Sequence, residues 1–126
     1  MKKNFILIVL LIMILSSAGS LPDQNDLSTF DISGTRWNLL YKDSLLGEMN
    51  YEVEFVEGNV FRYNEEADIT PDNDFWEQDG NTVYIYINDR YAKYEGHIVS
   101  YDLITGTAKN VNNLAWEFKL IRITRE

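Results

Sequence analysis

The chain has 126 residues, no cysteine, and twenty Asp and Glu against eleven Lys and Arg. At roughly 100–200 residues per domain this is one domain. Without thiols, disulfides, thiolate metal sites, cysteine nucleophiles and lipid-modified cysteines are excluded. A net charge of −9 leaves no electrostatic route to phosphate backbones or anionic lipid, so nucleic-acid binding drops out first.

In chain order, Met1-Lys2-Lys3 is a short basic region, and the run from Phe5 to Leu15 is apolar. Ser16-Ser17-Ala18-Gly19-Ser20 then supplies small residues for cleavage after Ala18 or Ser20. The apolar run is shorter than the ~20 residues that span a bilayer. Residues 1–20 therefore read as a cleaved signal peptide, with retention as an uncleaved anchor the alternative. The expected location is periplasmic, cell-surface or extracellular, with no stable membrane insertion after cleavage. Loss of Lys2 and Lys3 leaves nine of the eleven bases against twenty acids, a net of −11.

Residues 21–33 are polar with isolated Leu27, Phe30 and Ile32, a lead-in that lays Phe30 against the core. From Gly34 to the end the period is two, not 3.6. Eight strands are expected: Thr35–Lys42, Glu48–Glu57, Val60–Asn64, Asp74–Gln78, Thr82–Asn88, Ala92–Val99, Leu103–Ala108 and Leu114–Ile123. Met49, Tyr51, Val53 and Phe55 share one face. Val83, Ile85 and Ile87 oppose Tyr84 and Tyr86.

Registers follow from the rule that directly paired residues point to one face. Asp79-Gly80 signals a two-residue hairpin and sets Trp76 opposite Val83. The connection Asn88–Tyr91 sets Ile87 opposite Ala92 and Ile85 opposite Tyr94. Near-symmetry about Tyr101 sets Ile98 opposite Ile104 and Gly96 opposite Gly106. The Glu57-Gly58-Asn59 turn leaves loops of two or three residues open.

Eight consecutive antiparallel strands with one apolar face close into an up-and-down, all-β meander barrel, which removes exposed edges. A two-sheet sandwich is the alternative. Tight connections fall at one end and the longer ones at the other, the layout of a cup.

Gly34-Thr35-Arg36-Trp37, the eight-strand meander and a basic residue late in the last strand together resemble the calycin superfamily. The similarity, closest to small bacterial lipocalin-like barrels, covers Ile32 to Arg125. The glycine-to-tryptophan spacing is one residue longer than the family's Gly-x-Trp. The resemblance implies that Trp37 closes the barrel base and that Arg122 packs over it, a cation–ring contact of about 0.5–2 kcal/mol. It implies no avidin-type biotin site.

Candidate chemistry is sparse. His97 is the single histidine and by parity faces outward beside Thr105. No Ser/His/Asp set assembles around it, so no catalytic residue is assigned. Glu65, Glu66, Asp68, Asp72 and Asp74 crowd one connection but lack the calcium-loop pattern. They read as a solvated acidic rim, with no metal ligand and no cofactor implied.

Ten aromatic side chains are expected inward: Trp37, Tyr41, Tyr51, Phe55, Phe61, Tyr63, Trp76, Tyr94, Trp116 and Phe118. They fill an eight-stranded interior or leave room for one small ligand. Ala92, Gly96, Gly106 and Ala108 share that face, as space for rings opposite or as a niche. Phe75, Tyr84, Tyr86, Val99 and Leu103 face outward.

The expected function is non-catalytic binding of a small, partly apolar ligand at the mouth, lined by Tyr41, Met49, Tyr63, Ile87 and Trp116. The rival reading is a packed scaffold that binds a protein partner, with the acidic segment Glu65–Asp74 addressing a basic site.

Overall fold

Alternation of apolar and polar residues, interrupted by turn residues, produces eight strands. They are β1 (Arg36–Asp43), β2 (Gly47–Val56), β3 (Val60–Tyr63), β4 (Phe75–Asp79), β5 (Thr82–Ile87), β6 (Ala92–Ser100), β7 (Leu103–Asn110) and β8 (Ala115–Arg122). The computed structural model describes residues 27, 29–63 and 73–124. The signal-peptide reading at 1–20 and Glu65, Glu66, Asp68 and Asp72 lie outside them.

Each strand pairs antiparallel with the next, and β8 returns to β1, closing the barrel. The sandwich alternative is thereby set aside. Among the described residues closure leaves no long free edge, the thinnest seam being β3–β4, paired at Val60 and Phe75.

Two of the three inferred hairpin registers are present. Ile87 faces Ala92 and Ile85 faces Tyr94; Ile98 faces Ile104 and Gly96 faces Gly106. A shift between Ile98 and Ser100 leaves Val99 as a bulge residue.

The third register is corrected. Trp76 faces Ile85, and Val83 faces Gln78. The two-residue loop is Gly80-Asn81 rather than Asp79-Gly80, because Gly80 takes φ +58° at the first loop position, where a II′ loop needs glycine. The slide is an even number of residues, so the inward face is unchanged. The turn after β2 has three residues, since Val56 faces Val60.

The lead-in seals the base. Leu27 and Ile32 are buried and Phe30 packs against the core, each buried aliphatic contributing ~1.5–3 kcal/mol. Gln78 shares the inward parity of Trp76, a costly place for an amide unless its groups are paired. The lead-in pairs them: Gln78 Nε2 donates to the carbonyls of Phe30 and Gly80, and Oε1 accepts the Ile32 N–H at 3.2 Å.

Gly34 takes φ +79° in the turn closed by the Thr35 N–H to the Ile32 carbonyl at 3.1 Å. Trp37 is fully buried at this end, and its Nε1 donates to Thr35 Oγ1 at 2.7 Å. Arg122 is its cross-strand partner. The guanidinium lies over Phe30 at 5.4 Å, however, and not over Trp37 as expected; the indole is already enclosed.

Above this, Phe55 makes tilted or edge-on contacts with Phe61 and Trp76, both at 5.4 Å. On the opposite wall the small residues make room for a ring. A Cβ on Gly96 would stand 2.7 Å from Ile104 Cγ2 and 3.1 Å from Phe118 Cζ. A Cβ on Gly106 would stand 1.9 Å from the Glu95 carbonyl oxygen, so only glycine fits there.

Candidate functional site

At the mouth, two neighbouring hairpins carry leucines into solvent on short polar pegs. In the β1–β2 connection Asp43 Oδ1 accepts the N–H groups of Leu45 and Leu46 at 2.7 and 2.9 Å. These two bonds, Leu46 first, hold the Asp43 carboxyl below its ordinary range. The local turn points Leu45 and Leu46 outward, at 93% and 75% exposure.

The β7–β8 connection repeats the device. Asn110 Oδ1 accepts the N–H groups of Asn112 and Leu114 at 3.0 and 3.1 Å. Val111 and Leu114 are left 63% and 62% exposed. Short Asx side chains bond their own downstream backbone readily, which is why Asp and Asn stand at both bases.

Between these hairpins the β1–β8 ladder stops at Tyr41 opposite Phe118. Above that pair the seam opens into a cleft of about 330 Å³, with the rings of Tyr41 and Trp116 and the polar groups of Lys42, Asp43, Ser44 and Asn110 on its walls. On the outer side of the same seam runs a shallower groove of about 730 Å³, lined by Leu40, Met49, Glu117, Phe118 and Lys119 among others.

Among the described residues the interior is nearly filled. Its mouth half holds about 80 Å³, enclosed by Leu39, Tyr41, Tyr51, Phe61, Tyr63, Ile87 and Tyr94. Tyr41, Tyr51 and Tyr63 follow one another at ring separations of 6.2 and 6.3 Å. Tyr94 packs edge-on to Phe118 and Trp116 at 5.0 and 5.7 Å. Burial pushes its phenol up to about 12. The Trp116 N–H works weakly the other way, approaching the hydroxyl without completing a well-formed hydrogen bond.

The β5–β6 connection also reaches the mouth, and it is strained: Asn88, Asp89 and Arg90 take φ of 51°, 54° and 73°. Non-glycine residues in that region cost on the order of 1 kcal/mol each and need outside support. Asp74 supplies it. Its Oδ1 accepts the Asn88 N–H at 2.7 Å, and the Asn73 carbonyl accepts the Asp89 N–H at 3.0 Å. Asp74 is 4% exposed, so it is not part of a solvated acidic rim as expected.

Outside this turn Arg90 lies over Phe75 and Tyr86 at 5.4 and 5.0 Å, and Lys93 lies over Tyr84 at 4.9 Å. The outward aromatics of β4 and β5 are thus roofed by cations. His97 faces Thr105 on the exposed side. Among the described residues no three His, Asp or Glu gather as a metal site.

The five residues expected to line the mouth do not share one chamber. Tyr41, Tyr63 and Ile87 meet around the small interior space. Trp116 joins Tyr41 in the cleft, and Met49 joins it on the outer groove. Leu45 and Leu46 carry no periodic signal because they stand in a connection, and Leu114, expected to open the last strand on the inward face, stands exposed just before β8 instead. Their one sequence cue was the Asp43 and Asn110 positions just before them.

Comparisons with family models, with curated proteins and with solved structures find no significant match to this chain. The closed eight-stranded meander is compatible with a calycin-like fold.

Proposed function

We propose that this chain is an exported, non-catalytic barrel of calycin type whose filled body serves as a scaffold, and that it recognises a protein partner through its mouth loops. One observation carries the reading: among the described residues the interior keeps only about 80 Å³ at its mouth half, while Leu45, Leu46, Val111 and Leu114 stand exposed on hairpins held by Asp43 and Asn110. Small-molecule pockets usually run ~300–1,000 Å³. Val99, Tyr101 and Ile121 are also exposed, toward the base, but the three exposed leucines all stand at the mouth, and such a grouping marks an interaction surface more than a scattered set would. Asp74 is taken up by the β5–β6 turn, so recognition through an acidic segment has one carboxylate fewer than its sequence offers.

The test is retention of partners by the immobilised chain, compared with a Leu45→Asp/Leu46→Asp variant at equal loading. Loss of specific retention in the variant is expected. Equal retention by both removes the reading.

A second reading keeps a small, partly apolar ligand but moves it from the interior to the seam. The 330 Å³ cleft, walled in part by the rings of Tyr41 and Trp116 packed 6.3 Å apart, favours it. Hydrophobic-dye displacement with native mass spectrometry tests this. No stoichiometric dye binding, or binding unchanged in Trp116→Ala, excludes the cleft.

A further inference from the structure

We infer that the mouth rim docks against the same rim of a second copy of this chain, the Leu45-Leu46 tip of each seated in the β1–β8 cleft of the other. The inference rests on the reading of the rim as a protein-recognition surface and names its partner.

A two-fold contact uses one patch on both molecules, so that patch must carry a projection and a matching hollow side by side. The rim does. The tip formed by Leu45 and Leu46 stands beside the 330 Å³ cleft, because both are built from the end of β1. The hollow offers Leu114, Ala115 and the rings of Tyr41 and Trp116 to an incoming aliphatic side chain. A featureless lipid surface would take up the leucines but leave the adjoining cleft, with its polar wall, unmatched.

Charge points the same way. The chain carries −9 overall, so association of two copies needs opposite charges placed to meet. Lys42 and Asp43 both line the cleft, and a two-fold mate presents the same pair in reverse order. Lysine of each copy then stands toward aspartate of the other, which offsets part of the repulsion between two acidic bodies. Residual repulsion between the bodies is screened by salt, so this association strengthens as salt rises. A charge-steered acidic-to-basic encounter weakens instead.

Sedimentation velocity on the full chain, as processed by the expressing cell, reads the proposal directly. A reversible monomer–dimer equilibrium is expected, shifting to dimer with concentration and with added sodium chloride. Leu45→Asp/Leu46→Asp should weaken it about 30-fold or more, the scale of an interface hot spot. Val99→Asp, at an exposed apolar site on the opposite end, should leave it unchanged.

The absence of cysteine allows a second readout. A mixture of Leu45→Cys and Leu114→Cys chains should form a mixed disulfide dimer in higher yield than either chain alone. Monomer at every concentration and salt, weakening with salt, or a dimer indifferent to the leucine changes overturns the proposal. Binding to phosphatidylcholine vesicles without dimerisation overturns it in favour of a lipid surface. A strictly monomeric chain whose leucine variant still loses partner retention leaves the rim reading standing and removes only the second copy.

Discussion

Arg122 faces Trp37 across the β1–β8 seam, yet its guanidinium lies over the ring of Phe30, 5.4 Å from the centroid. Phe30 in turn meets Tyr101 edge-on at 4.9 Å. The cation therefore clamps the lead-in to the barrel base instead of capping the buried indole directly. Leu27, Phe30 and Ile32 of the lead-in are thus structural parts of the barrel base.

Phe30→Ala should cost about 2 kcal/mol, below the range for a fully buried ring because Phe30 is half-buried. Gln78→Leu should cost about 2–3 kcal/mol, since it strands the Phe30 carbonyl and the Ile32 N–H at the base. Urea unfolding measures both. Changes below about 0.5 kcal/mol in both variants would mean the lead-in is not held as described.

Gly106→Ala should be among the most damaging single changes, at least about 3 kcal/mol, because its Cβ would meet the Glu95 carbonyl rather than a yielding side chain. Gly96→Ala meets Ile104 and Phe118 side chains and should cost less. Chemical denaturation of both variants, compared in that order, checks the close approach of β6 and β7.

Alternation and turn chemistry carried much of the fold in the sequence. The inward face read from Ile85, Tyr94, Ile98 and Ile104 survived even where Trp76 was set against the wrong partner, because the slide at Gly80 was even. Positions decided by tertiary contact were less legible. Nothing local distinguishes Asp74 from its acidic neighbours; only the turn at Asn88 reaching back to it does. Gln78 reads as a lapse in the apolar pattern until the lead-in backbone supplies its partners. Tyr41, Met49, Tyr63, Ile87 and Trp116 were placed near the mouth end by strand position alone. Strand position does not reveal that the seam splits above Tyr41 and divides them among three spaces.

Asp74→Ala should destabilise by about 2–3 kcal/mol, through loss of a buried charge-assisted bond and release of the strained Asn88–Arg90 turn. Asp74→Asn keeps an acceptor and should recover part of that loss. Thermal unfolding of the pair separates the bond from the charge. Equal stability of Asp74→Ala and the parent contradicts the clamp.

Tyr94 predicts an alkaline limit. Its phenol titrates near 12 when folded against about 10 when free. The raised value means that its contribution is fully present below pH 10 and is lost as pH climbs from 10 towards 12. Over that window the loss is about 2–3 kcal/mol at ~1.4 kcal/mol per pH unit. Stability curves of the parent and Tyr94→Phe should therefore converge in slope below pH 10 and diverge above it, the parent falling more steeply. Parallel curves to pH 12 would contradict the buried phenol.

We propose recognition on the outer rim of the mouth and not inside the barrel. Retention of partners by four immobilised chains separates the two: the parent, Leu45→Asp/Leu46→Asp, Leu114→Asp and the interior variant Tyr63→Phe. Both rim changes should abolish the specific retention shown by the parent, and Tyr63→Phe should leave it intact. Retention that survives the rim changes, or is lost with Tyr63→Phe alone, would contradict it.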